Sequence, residues 1–222
     1  MSSVYEYLLE NTEEDRNALL SIPFIQEGWR GNISLESYLA FLGQAFHHVK
    51  HTTPLLMACG SRVPFEKEWL RNAMAEYIEE EVGHQEWILS DIQHAGGDAQ
   101  AVRHATPSLA VEAMIAYAYY VIERVNPIGF LGMVLVLEGT SIKVATEAAE
   151  AIKSSLGLGD ECFSYLSSHG SLDISHMDFY KNLVNQIESE EDKVFLLHCA
   201  KNFFKLYGDV FRSLPLHKLS EI

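Results

Sequence analysis

Apolar positions recur along the chain at spacings of three and four, and nothing alternates at a period of two for long enough to make a strand. The pattern predicts an all-α protein. Residues 2–20 read as a first helix, with Tyr7, Leu8, Leu19 and Leu20 as its apolar contacts. The segment IPFIQEGWRGN holds Pro23, Gly28 and Gly31 and reads as a loop or broken turn. Ser34 as N-cap, with Ser37 three residues on, opens a second helix over 35–59, kinked by Pro54. Pro64 opens a third that runs to residue 95 and stops at Ala95-Gly96-Gly97. Ser108 or Thr106 caps a fourth over 109–125, and Pro127 begins a fifth that ends at Gly157 and Gly159. Asp160 caps a short sixth helix ending near His169 and Gly170, with 173–188 and 190–213 as the last two. The expected fold is a single helical domain over residues 1–222, a bundle of seven to eight helices.

Charge narrows the partners. With 31 acids against 16 bases the net charge is −15, so a phosphate backbone is repelled and nucleic-acid binding is not expected. No basic block points to a membrane surface, and no apolar run reaches the ~18–20 residues of a membrane span. The N-terminal MSSVYEYLLENTEEDR is acidic and lacks the basic-then-apolar plan of a signal peptide. Cys59, Cys162 and Cys199 are far apart, odd in number and set among apolar residues, which suits buried free thiols in a reducing cytoplasm.

The chemistry concentrates in three segments. In YLSSHGSLDISHMDFY, His169, Asp173 and His176 stand at i, i+4 and i+7. They share a face if the stretch is one helix, or two helices meeting near Gly170. In Glu79-Glu80-Glu81-Val82-Gly83-His84, Glu81 and His84 form a Glu-x-x-His pair, with Glu80 as the rival carboxylate. Glu138 is preceded by ten uncharged residues in an apolar helix, where an unpaired carboxylate costs several kcal/mol or is protonated, and a cation removes that cost. Gly132 and Gly139 in the same helix allow close backbone approach. Glu81, His84, Glu138, His169, Asp173 and His176 are together the ligand set of a di-iron or di-manganese carboxylate centre. Each has an ordinary alternative: acidic runs are usually solvated, and a buried His is often only hydrogen-bonded. A second polar cluster, Gln44, His47, His48 and His51, reads as a substrate pocket beside the metals, with Gln44, His48 and His51 as the catalytic candidates. Its alternative is a partly exposed helix whose imidazoles bond water or carboxylates.

These residues resemble the haem-oxygenase-like superfamily, and within it the non-haem di-metal oxidases and oxygenases related to TenA-type thiaminases and PqqC-type quinone synthases. The resemblance covers nearly the whole chain and rests on Phe41 to Val49, Glu80-Glu81-Val82-Gly83-His84, Leu137-Glu138-Gly139 and His169-x3-Asp173-x2-His176. It implies two iron ions, with manganese or a mixed pair as variants, and O2 and a small organic molecule as reactants. It also implies a homodimer. The thiaminase relatives use an Asp on the second helix and a Cys on the fifth, whereas this chain has Gln44-Ala45-Phe46 and Glu138. Haem oxygenases use a proximal His near the N-terminus, and the first 46 residues hold none, so haem is not expected. The quinone synthases work without a metal, which the filled ligand set argues against. The alternative expectation is a metal-free binding or regulatory protein, or a non-oxidative enzyme, on the same fold.

Overall fold

A computed structural model describes residues 3–219, with the side chains of Lys143 and of residues 169–175 outside the description. Every regular element among the described residues is helical: α1 (Val4–Asn11), α2 (Glu13–Leu20), α3 (Pro23–Trp29), α4 (Leu35–Val49), α5 (Thr52–Arg62), α6 (Glu68–Glu81), α7 (His84–His94), α8 (Ala99–His104), α9 (Leu109–Tyr120), α10 (Leu131–Leu156), α11 (Ser164–Val184) and α12 (Glu190–Arg212). Short 3-10 turns precede α6, α10 and α11, and a π-turn over Val121–Val125 ends α9.

The count exceeds the expected seven or eight because three of the long helices are broken and two further short helices, α3 and α8, form between them. The first divides at Thr12, which is fully buried and turns its hydroxyl back onto the Leu8 carbonyl. The second divides at Lys50–His51 rather than at Pro54. Pro54 instead sits in the first turn of α5, where its missing N–H costs nothing. The third divides at Val82–Gly83, where Gly83 adopts φ +94°. Segment 23–29, read from sequence as a loop, is helix α3. Pro23 starts it, and Phe24 and Ile25 are buried. Conversely, 164–184 is one helix that runs through Gly170.

Helix α10 is the centre of the bundle. It packs most extensively on α11, then on α12 and α3. Its first turns are apolar all round and buried, as an interior helix requires. Gly132 makes the contact with α12 possible: a Cβ there would stand 2.7 Å from the Ala200 backbone nitrogen. Gly139 plays no such part, because a Cβ there would meet nothing within 4 Å. The expectation of close approach thus holds at Gly132 and fails at Gly139. The segment Pro127–Ile142, which joins the 3-10 turn to the first part of α10, is bent by 45° against Val144–Leu156. No single helix among the described residues is long and apolar enough to cross a membrane.

Caps set the ends of the site-bearing helices. Ser34 and Ser108 accept from the backbone N–H groups of Ser37 and Val111, as expected from sequence. The start of α11 is capped from a distance. Asp91 of α7, with no exposed surface, accepts from the backbone N–H of Ser164 (3.0 Å) and of Tyr165 (2.9 Å), and from the Ser164 hydroxyl. Burial raises the Asp91 pKa, while the bonds from Ser164 and Tyr165 oppose the shift.

Candidate metal centre

Four helices bring the candidate ligands together. Glu81 is the last residue of α6 and His84 the first of α7, so the pair straddles the Gly83 break rather than lying on one helix. Nδ1 of His84 is still 3.1 Å from Oε2 of Glu81. The His84 ring stacks on Trp87, one turn later, at 4.0 Å between centroids. Glu138 comes from α10 and His176 from α11. Donor atoms of Glu81, Glu138 and His176 all lie within 4.8 Å of one another. Nδ1 of His176 is 3.9 Å from Oε1 of Glu81 and 3.8 Å from Oε1 of Glu138. Its other nitrogen, Nε2, is 2.8 Å from Oε2 of Glu80, whose side chain is 50% exposed. The sequence left Glu80 and Glu81 as rivals. Here Glu81 joins the cluster and Glu80 holds the outer nitrogen of the imidazole.

The side chains of His169 and Asp173 lie outside the description. Of the second-helix candidates, only His48 reaches the same interior space. It is buried and lines the cavity in which Glu81 and Glu138 also stand, with its ring edge-on to Tyr207. Gln44 faces a separate depression, and its Oε1 accepts from the backbone N–H of Ser108. His47 faces that depression too and contacts Nζ of Lys50 through Nδ1. His51 falls beyond the end of α4, stands edge-on to Tyr119 and does not line the carboxylate cavity. The expected i, i+4, i+7 face of Gln44, His48 and His51 therefore does not form, because the helix stops at Val49.

Two tyrosines were not anticipated. Tyr77 precedes Glu81 by one turn of α6, and Tyr180 follows His176 by one turn of α11, the spacing that puts side chains on one helix face. Both are buried, and neither hydroxyl has a hydrogen-bond partner among the described residues. Burial raises the pKa of each, and the nearby Glu138 carboxylate raises it further. Both shifts favour the neutral phenol. The available signal was their i, i+4 offset from the candidate ligands.

The donor set fits a first-row metal. Two carboxylates and two imidazoles converge in an interior where isolated charge is costly, and the ionic partners of Glu81 are imidazoles rather than lysine or arginine. A cation there would neutralise both carboxylates and take up the imidazole lone pairs.

A model of the iron-containing redox enzymes matches residues 39–208. The chain belongs to that family. The matched range spans the positions of all six expected ligands. No curated protein matches the sequence. The fold is haem-oxygenase-like. A domain of unknown function with a heme oxygenase-like fold from Shewanella denitrificans OS217 superposes with a TM-score of 0.86 at 22% identity, covering 94% of this chain and 90% of that one. A TenA homologue from P. horikoshii OT3 gives 0.79 at 13% identity, covering 95% and 97%. Heme oxygenase-1 from Synechocystis sp. PCC6803, in complex with heme, gives 0.73 at 12% identity, covering 95% and 91%. At these identities the likeness establishes the fold alone.

Proposed function

We propose that the protein is a non-haem di-metal enzyme, with iron as the preferred metal, that uses O2 to oxidise a small organic substrate. The observation that carries this reading is the meeting of Glu81, Glu138 and His176 inside the bundle, at a cavity otherwise walled largely by apolar side chains. Glu81, His84, Glu138 and His176 would hold the metal, with His169 and Asp173 as the remaining ligands that the family resemblance implies. Bound iron supplies the binding and reduction of O2.

The chain's own groups do the positioning. Glu80 accepts from Nε2 of His176, which leaves Nδ1 directed at Glu81 and Glu138. Trp87 fixes the plane of the His84 ring by stacking. The phenols of Tyr77 and Tyr180 retain their protons beside Glu138 and present neutral hydroxyls. The apolar side chains of the wall lower the local dielectric, which strengthens the charge interactions beside them. His48, across the same cavity, is placed to meet the substrate.

Anaerobic loading with Fe(II), followed by metal analysis and O2-uptake measurements, tests the reading. The expected result is stoichiometric iron in the wild type and its loss in Glu138→Ala combined with His176→Ala. Full iron binding by that double variant would overturn the proposal. Haem titration distinguishes the haem oxygenase alternative: a tight complex with a Soret band would replace the non-haem reading.

A further inference from the structure

Helix α4 separates two hollows. Phe41, His48 and Val49 line the carboxylate cavity. On another face of the same helix, Leu39, Ala40, Gly43, Gln44 and His47 stand at offsets of three and four and floor a depression of about 230 Å³. Its walls are Val102 and Ala105 at the end of α8, Ser108 at the start of α9, and Ser213 to Pro215 beyond α12. No aspartate, glutamate, lysine or arginine lines it among the described residues.

Two side chains of the floor offer protons there. Oε1 of Gln44 is taken by the backbone N–H of Ser108 at 2.9 Å, which leaves its amide NH2 to donate. His47 is only 2% exposed, and its Nδ1 lies 3.1 Å from Nζ of Lys50. An ammonium can only donate, so Nδ1 accepts and the ring proton sits on Nε2. Neither that nitrogen nor the Gln44 amide nitrogen has a hydrogen-bond partner among the described residues. The remaining polar side chains of the wall are engaged. The Ser108 hydroxyl caps Val111, and the Ser213 hydroxyl donates to the Val210 carbonyl.

The charge behind the floor is positive. Lys50 bonds His47, stands 5.5 Å over the Phe46 ring and makes no ion pair with a carboxylate among the described residues. In a chain with 31 acids and 16 bases, a lysine held on an imidazole instead of a carboxylate leaves positive potential that an anion would complete.

We propose that this depression binds a small monocarboxylate with a compact apolar body. The carboxylate accepts from Nε2 of His47 and the amide nitrogen of Gln44. Those residues are neighbours on the helix face, about 5–6 Å apart at Cβ, so one carboxylate reaches both donors. The apolar body packs on Leu39, Val102, Leu214 and Pro215. The site needs no metal and stands apart from the oxidase reading.

The probes are benzoate, benzamide and inorganic phosphate, titrated calorimetrically into metal-free and Fe(II)-loaded protein. Benzoate is expected to bind equally with and without iron. Benzamide, which lacks the charge, and phosphate, which lacks the apolar body, are each expected to bind about tenfold more weakly or worse. Gln44→Glu keeps an oxygen for the Ser108 N–H but replaces the donor with a negative charge, and should weaken benzoate by about tenfold or more. Gly43→Leu is the second variant, should Gln44→Glu not fold. A Cβ there only touches Val102, at 3.9 Å, and the longer side chain would fill the depression and block benzoate. Undiminished benzoate affinity in both variants would overturn the location. Benzamide binding as tightly as benzoate would overturn the carboxylate assignment, and phosphate doing so would overturn the apolar body. Benzoate that binds only the iron-loaded protein would place it at the metal centre and overturn the separate site.

Discussion

Nε2 of His176 and Oε2 of Glu80 lie 2.8 Å apart, and the other ring nitrogen, Nδ1, faces Glu81 and Glu138. Such an outer carboxylate typically raises metal affinity by ten- to a hundredfold. Glu80→Gln is therefore expected to weaken Fe(II) or Mn(II) binding by about tenfold or more in a chelator competition assay. Its side chain is half exposed, so the metal-free melting point should hardly move. Unchanged metal affinity would show that Glu80 does not orient the imidazole.

Metal binding should be visible as stability. A ligand at a hundred times its Kd stabilises the native state by about 2.7 kcal/mol. For a chain of this size that corresponds to a rise of about 5–10 °C in melting temperature. Glu138→Ala should abolish the rise.

Asp91 is a structural dependency of the same site. Asp91→Ala strands two buried N–H groups at the start of α11, at a cost of about 1–3 kcal/mol each. A drop of several degrees in melting temperature is expected, together with weaker metal binding through the displaced His176. A variant that melts normally would show that the cap contributes little.

The two glycines of α10 should respond oppositely to alanine. At Gly132 the added methyl meets the α12 backbone, which cannot yield, and a loss of about 1–3 kcal/mol or more is expected. At Gly139 the methyl has space and the helix gains propensity, up to about 1 kcal/mol. Urea denaturation of the two variants measures both signs.

Histidines set part of the acid sensitivity. Burial, with the Lys50 charge adding to it, holds the pKa values of His47 and His51 below the ordinary 6.5. As pH falls below that value the unfolded chain takes up protons first. Stability is therefore present above it and is lost as pH falls through the folded-state values. Urea midpoints measured from about pH 8 to about pH 5 should fall, and His51→Gln should flatten the decline.

Much of the centre was legible because charge in an apolar run is rare. Glu138 stands out from Ile128–Leu137 by sequence alone, and its position beside Glu81 and His176 needs no other signal. The helical class was equally legible from periodicity. The breaks were not. Segment 23–29 is a helix because α10 and α12 bury its apolar side, a tertiary effect that outweighs the local signal of Gly28 and Gly31. His51 was placed on the α4 face by counting, but the chain turns at Lys50 and the count loses its meaning there. Tyr77 and Tyr180 did not stand out, since aromatic residues at helical spacing usually form core. Only the location of their hydroxyls sets them apart.

The left-handed kink at Gly83 has one more consequence. Glu81 and His84 belong to separate rods: α6 packs chiefly on α5, and α7 on α4. A metal pair changes its spacing when it gains or loses electrons, and a chelating pair on one continuous helix could follow only by straining its coil. Were such a pair bound here, the break at Val82–Gly83 would let the bite of the two donors open and close while both rods keep their shape.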